Sequence, residues 1–145
     1  MMIMRRGYYG YMEEELDAWK ESGKNITPSI ALVPDFIKLL TDMLGQDEVD
    51  KQGRFLINTA LGYFVSPDDV LPDDVYGHEG YLDDIFVCTL VLKRLYEYYS
   101  DLMQKLWNND IQLEAAIKNA HDESSMYMEA HNLTTRIMQY SGLED

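Results

Sequence analysis

Apolar residues recur every three or four positions over most of the chain, which predicts helices. Glycine and proline divide this pattern unevenly, because all four prolines precede residue 73 and only Gly142 follows Gly80. We therefore expect shorter helices in the first half and longer ones in the second. No segment alternates as a strand does, so residues 1–145 are predicted to form a single all-α domain.

The pattern predicts a bundle of about five helices. They are expected at about Tyr11–Glu21, from just before Pro34 to Gly45, at about Asp47–Val65, at about Tyr81–Trp107 and at about Ile111–Tyr140, the last as one helix or two. Asp110 is expected to cap the last helical region. The second half of the third helix and residues 85–92 of the fourth are apolar nearly all round, which predicts a buried central hairpin.

The charge balance limits the classes of partner that the chain is expected to bind. The chain has 12 Lys and Arg against 26 Asp and Glu, a formal net charge of −14. Such a charge repels nucleic acid and anionic lipid, so we expect no nucleic-acid binding and no peripheral membrane contact. No apolar run approaches the roughly 20 residues of a membrane span. The single Cys88 is expected to be buried, as in a protein of the reducing cytoplasm.

The connection inside the predicted hairpin is the most unusual part of the sequence. Between Arg54 and Lys93 there is no basic side chain, and the acids there are Asp68, Asp69, Asp73, Asp74, Glu79, Asp83 and Asp84. Three interpretations remain open. The acids cap helix ends, they bind a divalent cation such as Mg²⁺, Mn²⁺, Ca²⁺ or Zn²⁺, or they dock a protein with a basic surface.

The cation interpretation has a definite ligand set. Its carboxylates and one imidazole are Asp69, Asp73, Asp83, Asp84, His78 and Glu79. Oxygen ligands from a loop and a helix start suit hard cations, and the histidine would add a softer ligand. The pattern lacks the spacing of an EF-hand or of a two-histidine zinc motif.

The same stretch resembles the YkvA-like family, also called domain of unknown function 1232. Two motifs carry the resemblance: Ser66, Pro67, Asp69, Pro72 and Asp73, followed by Gly80, Tyr81, Asp83 and Asp84. The resemblance covers about residues 54–95. It implies a helical hairpin with a rigid Pro/Asp-rich loop, in which Asp69, Asp73, Asp83 and Asp84 converge, and it brings no established activity. Asp68 and Asp74 stand where family members usually carry apolar residues, which argues against the membrane association suggested for some relatives.

The remaining candidate residues are expected to have structural roles rather than to bind ligands or react. Tyr96, Tyr98 and Tyr99 are expected at core edges with their hydroxyls in water. We expect Met43, Met103 and Met138 to fill the core, and His121 and His131 to face solvent.

The sequence as a whole favours a non-enzymatic interaction or regulatory module with an acidic surface. No nucleophile stands at a telling distance from a base. The alternative is a metal-dependent hydrolase that uses the aspartates of the 66–84 segment, with His78 or Glu79 transferring protons. A homo-oligomer formed through the tyrosine-rich helix also remains open.

Overall fold

The structure is a computed structural model that describes residues 28–65, 82–130, 134, 138–139 and 142–143. These residues form one helical turn, Pro28–Ala31, and four longer helices: α1 (Val33–Leu44), α2 (Lys51–Val65), α3 (Leu82–Leu106) and α4 (Leu113–Ala130). No strand occurs among them, which confirms the all-α prediction for this part of the chain. The predicted helix at 11–21 and the Pro/Asp-rich connection lie outside the described residues.

Helix α1 follows its predicted pattern. It begins at Val33 with Pro34 in its first turn, where a missing backbone N–H costs nothing. Its inner face is fully buried and consists of Val33, Phe36, Ile37, Leu39, Leu40 and Met43. The helix ends before Gly45, as the sequence predicts.

Helix α2 differs from the prediction at its start and in its burial. It begins at Lys51, four residues late, because Asp50 caps it through a hydrogen bond from the Gly53 amide to Oδ1 (2.8 Å). Only one face is buried, and it carries Gly53, Ile57, Ala60 and Tyr63. Phe55 is 65% exposed, so the expectation of burial all round is wrong.

Helix α3 is the central helix, as predicted. It packs against α1, α2 and α4. Every residue from Ile85 to Leu92 is buried except the half-buried Leu90. The helix is interrupted at Tyr99, whose φ of −129° and ψ of 27° are not helical.

Helix α4 runs antiparallel to α3. Its buried stripe consists of Leu113, Ala116, Ile117, Ala120, Ser124 and Met128. The predicted cap at Asp110 is wrong, because the first helical bond, from the Ala116 amide, goes to the Gln112 carbonyl. Asp110 instead lies in a turn that Asn109 stabilises by accepting the Ile111 amide at 2.9 Å. Thr134, Met138 and Gln139 are also helical.

Several polar contacts hold the helices in register. The Arg54 guanidinium of α2 donates to the carbonyls of Leu44, Gln46 and Val49, which closes the loop after α1. Ser29 donates to Glu123 and so ties the first helical turn to α4. These contacts surround a core of buried apolar side chains drawn from all four helices.

Candidate functional site

Most of the predicted site residues lie outside the described part of the chain. These are Asp69, Asp73, His78 and Glu79 of the proposed cation site, and Ser66, Pro67, Pro72, Gly80 and Tyr81 of the motif. Asp83 lies in the first turn of α3, and only its backbone is described. The convergence of the four aspartates therefore stays a prediction.

Asp84 is the predicted ligand whose side chain is described. It is 1% exposed in the first turn of α3, one turn before Cys88. Burial raises the pKa of the Cys88 thiol, and the nearby negative charge of Asp84 raises it further. The thiol therefore stays protonated at neutral pH, and the expected role of Cys88 as a buried small side chain is confirmed. Among the described residues, no three His, Cys, Asp or Glu side chains are placed to hold a metal ion.

An acidic corner forms where the α1–α2 loop meets the interruption of α3. We define it as Asp47, Glu48, Asp50, Tyr98 and Tyr99. The two parts are joined by the Asp50 amide, which donates to the Tyr99 hydroxyl at 3.1 Å. All three acids are exposed, and Tyr98 is 80% exposed beside the half-buried Tyr99. The corner therefore presents carboxylates and an aromatic ring to solvent.

Asp50 in this corner is held in its charged form. The Gly53 amide lowers the pKa of the Asp50 carboxyl most, and the Tyr99 hydroxyl lowers it further. Gly53 is needed for the close approach of loop and helix, because a Cβ there would lie 2.9 Å from Val49 Cγ1 and 3.2 Å from the Tyr99 hydroxyl. The sequence Asp50-x-x-Gly53 is the signal of this cap, and sequence reasoning missed it by starting the helix at Asp47.

A groove of about 370 Å³ runs between α3 and α4. It is lined by Lys93, Tyr96, Glu97, Glu114, Ile117, Lys118 and Asp122. The floor is apolar, and charged side chains of both signs form the rim. Lys118 and Asp122 form an ion pair of 2.9 Å along α4. The groove offers an apolar surface with charged ends rather than a pocket closed to water.

His121 is half-buried beside this groove, which corrects the expectation that it faces solvent. Its Nδ1 lies 3.0 Å from the Thr89 hydroxyl, and its ring stacks on Phe86 with centroids 5.3 Å apart. Burial lowers the pKa of His121, and the positive charge of Lys93 lowers it further, whereas Asp122 raises it. The ring is therefore neutral at pH 7. His131 lies outside the described residues.

The segment from α2 into α3 carries the similarity of this chain to a family of proteins of unknown function. Residues 54–90 match the family model "Protein of unknown function (DUF1232)", which confirms the resemblance inferred from the sequence. The chain is also similar to "Uncharacterized protein ORF9" of Methanothermobacter thermautotrophicus, with 25% identity over 114 residues, 78% of this chain and 76% of that protein. No solved structure matches the chain.

The described helices were also compared with the dimensions of a membrane span. None of them combines the length and the apolar composition needed to cross a bilayer.

Proposed function

We propose that this chain is a non-enzymatic interaction module and that its acidic corner binds a protein partner with a basic surface. The observation that carries the proposal is the group of exposed acids, Asp47, Glu48 and Asp50, in the loop that the contact between Asp50 and Tyr99 joins to α3. The Asp50 carboxylate is already held by the Gly53 amide, so it needs little ordering when a partner binds and less binding energy is lost to conformational entropy. A cytoplasmic location is part of the proposal.

The chemistry of the corner suits arginine and lysine side chains. With a net charge of −14, the chain attracts basic surfaces at long range, which raises association rates. At short range the carboxylates accept charge-assisted hydrogen bonds. The exposed ring of Tyr98 offers a face on which a guanidinium can stack.

The proposal is tested by titrating an arginine-rich peptide and following backbone amide shifts by NMR. The largest shifts are expected at Asp47, Glu48, Asp50 and Tyr98. Glu48→Lys should weaken binding by about fivefold or more, because it places a like charge within the corner. Glu129→Lys is the matched control, since Glu129 is exposed on α4 and its reversal changes the net charge equally. Equal weakening by both variants would show only non-specific attraction and would contradict the proposal.

A metal-dependent hydrolase is a second candidate, and the buried Asp84 favours it. Asp84 is 1% exposed within the family-matched segment, and a buried carboxylate is stabilised by hydrogen bonds, by an ion pair or by a bound cation. The predicted site would use Asp69, Asp73, Asp83 and Asp84, with His78 or Glu79. Calorimetric titration with Mg²⁺, Mn²⁺ and Zn²⁺ tests it: the candidate requires binding that disappears in Asp83→Asn, and the absence of heat from all three cations would eliminate it.

A further inference from the structure

The charges along the groove between α3 and α4 follow a definite order. The contact between Thr89 and His121 sets the register of the two antiparallel helices. One turn further along α3 and one turn back along α4, Lys93 and Lys118 lie at the same level. A further turn in the same directions brings Glu97 level with Glu114. All four line the groove together with Asp122, which lies one turn beyond Lys118 and pairs with it at 2.9 Å. The level of Lys93 and Lys118 is therefore basic and lies one helical turn from the acidic level of Glu97 and Glu114, with Asp122 on its other side.

Such a surface is complementary to itself. A two-fold axis that lies in the interface, at right angles to the groove and between these two levels, places the basic level of one copy on the level of Glu97 and Glu114 of the other. In this arrangement α3 faces α3 and α4 faces α4. Lys93 meets Glu97 of the partner subunit, and Lys118 meets Glu114 of the partner subunit. Symmetry repeats both pairs, so four opposite-charge contacts surround the apolar floor formed by Tyr96 and Ile117.

We propose that a second copy of this chain occupies the groove and forms a two-fold symmetric dimer through α3 and α4. A face two helices wide and as long as α4 measures about 500 Å² on each copy. The pair then buries about 1,000 Å² in total, near the lower limit for a specific interface. Met126, 70% exposed and one turn beyond Asp122 on α4, adds apolar area to this face. The surface is distinct from the acidic corner, so the dimer does not depend on the proposed function.

The net charge of −14 opposes association at long range. At about 0.15 M salt this repulsion is screened beyond roughly 8 Å, whereas contacts within the interface persist. The test is therefore sedimentation equilibrium of the full chain at that ionic strength, over concentrations up to about 1 mM. The wild-type chain is expected to fit a monomer–dimer equilibrium in the micromolar range.

The variants test the charge order. Lys93→Glu should raise the dissociation constant at least tenfold, because the substituted side chain then faces Glu97 of the partner subunit. Symmetry creates this contact between like charges twice in the dimer. The charge swap Lys93→Glu/Glu97→Lys restores opposite charges across the interface and should recover most of the affinity. Lys51→Glu is the control, an equal charge reversal at an exposed residue of α2 that does not line the groove. Circular dichroism checks that each variant is folded.

Three results would overturn the proposal. The first is a wild-type chain that stays monomeric over the whole concentration range. The second is a Lys93→Glu variant that associates as well as the Lys51→Glu control. The third is a charge swap that is as weak as Lys93→Glu alone, since that result would mean that the groove does not meet a copy of itself in the two-fold arrangement.

Discussion

At the scale of single residues, the hydroxyl proton of Thr89 determines which ring nitrogen of the neutral His121 carries its proton. The Thr89 hydroxyl lies 2.8 Å from the Ile85 carbonyl, which can only accept a hydrogen bond. The single proton of the hydroxyl is used there, so the Thr89 oxygen accepts from His121 Nδ1–H at 3.0 Å. The neutral ring therefore carries its proton on Nδ1, and a second proton would have to enter at Nε2.

We expect protonation of His121 to destabilise the fold. Because burial lowers the pKa of His121 in the folded state, the unfolded state binds the proton more readily. The stability that the neutral ring contributes is present above the unfolded pKa of about 6.5. It is lost progressively as the pH falls from that value through the lowered pKa of the folded state. Urea unfolding of the wild-type chain and of His121→Gln at several pH values measures this loss.

The comparison of the two proteins isolates the effect of His121. All other titratable groups are the same in both proteins, so their contributions to the pH dependence cancel in the comparison. Between about pH 7.5 and pH 5.5 the wild-type chain should lose more stability than His121→Gln. Parallel stability curves for the two would contradict the burial of this imidazole.

The sequence contained the signal for the position of His121. Asp122 and Glu123 follow it, and charged neighbours of this kind are typical of an exposed segment. On a helix, however, neighbours in sequence point in directions about 100° apart. His121 comes directly after Ala120, at the edge of the buried stripe of α4. Periodicity thus located its face better than the charges beside it, whereas its partner Thr89, 32 positions earlier, required the packed structure.

At the scale of elements, alanine substitutions of the two glycines in α2 are predicted to have opposite effects on stability. A Cβ at Gly53 would lie 2.9 Å from Val49 Cγ1, whereas a Cβ at Gly62 would meet no atom of the described residues within 4 Å. Gly53→Ala should therefore lower the free energy of unfolding by about 1–3 kcal/mol through overpacking. Gly62→Ala should raise it by about 0.5–1 kcal/mol, because alanine favours a helix. Thermal or urea unfolding of both variants measures the two effects.

The Gly62 variant is the internal control for helix propensity in the same element. Gly53→Ala should also shift the amide resonances of Asp50 and Tyr99, since these residues form the contact that the new methyl group disturbs. If Gly53→Ala and Gly62→Ala were stabilised to the same extent, that result would contradict the close packing of Gly53 against Val49 and Tyr99.

The burial of α2 shows how far an apolar run can be interpreted. The run from Phe55 to Val65 contains no charged side chain, which predicted a helix buried all round. In the described residues α2 packs on α1 and α3, and its outer face carries the exposed Phe55, Asn58 and Gly62. Composition gives the average environment of a helix, but the number of its neighbours is a property of the whole bundle. For α3, which has neighbours on several sides, the same reasoning was right.

At the scale of the whole molecule, the segment around Leu143 is hydrogen-bonded to the central helix α3. Gly142 has a φ of 76°, and the amides of Gly142 and Leu143 donate to the carbonyls of Gln139 and Met138. This double hydrogen bond is the Schellman arrangement that ends many helices. It directs the Leu143 side chain into the core, where it is 3% exposed, and lets its carbonyl accept from Arg94 of α3 at 2.9 Å.

We expect the burial of Leu143 and its hydrogen bond with Arg94 to contribute to the stability of the entire bundle. Leu143→Ala removes a buried side chain and should lower the free energy of unfolding by about 2 kcal/mol, the lower end for leucine because the site lies near the chain end and can relax. Phe55→Ala is the control; at 65% exposure its loss should change stability by less than about 0.5 kcal/mol. If α3 and the end of the chain unfold together, the Leu143 variant shows one cooperative transition at a lower temperature by both calorimetry and circular dichroism. A transition unchanged from the wild type would mean that Leu143 frays from the core without cost, and the contact with Arg94 would then play no part in holding the bundle together.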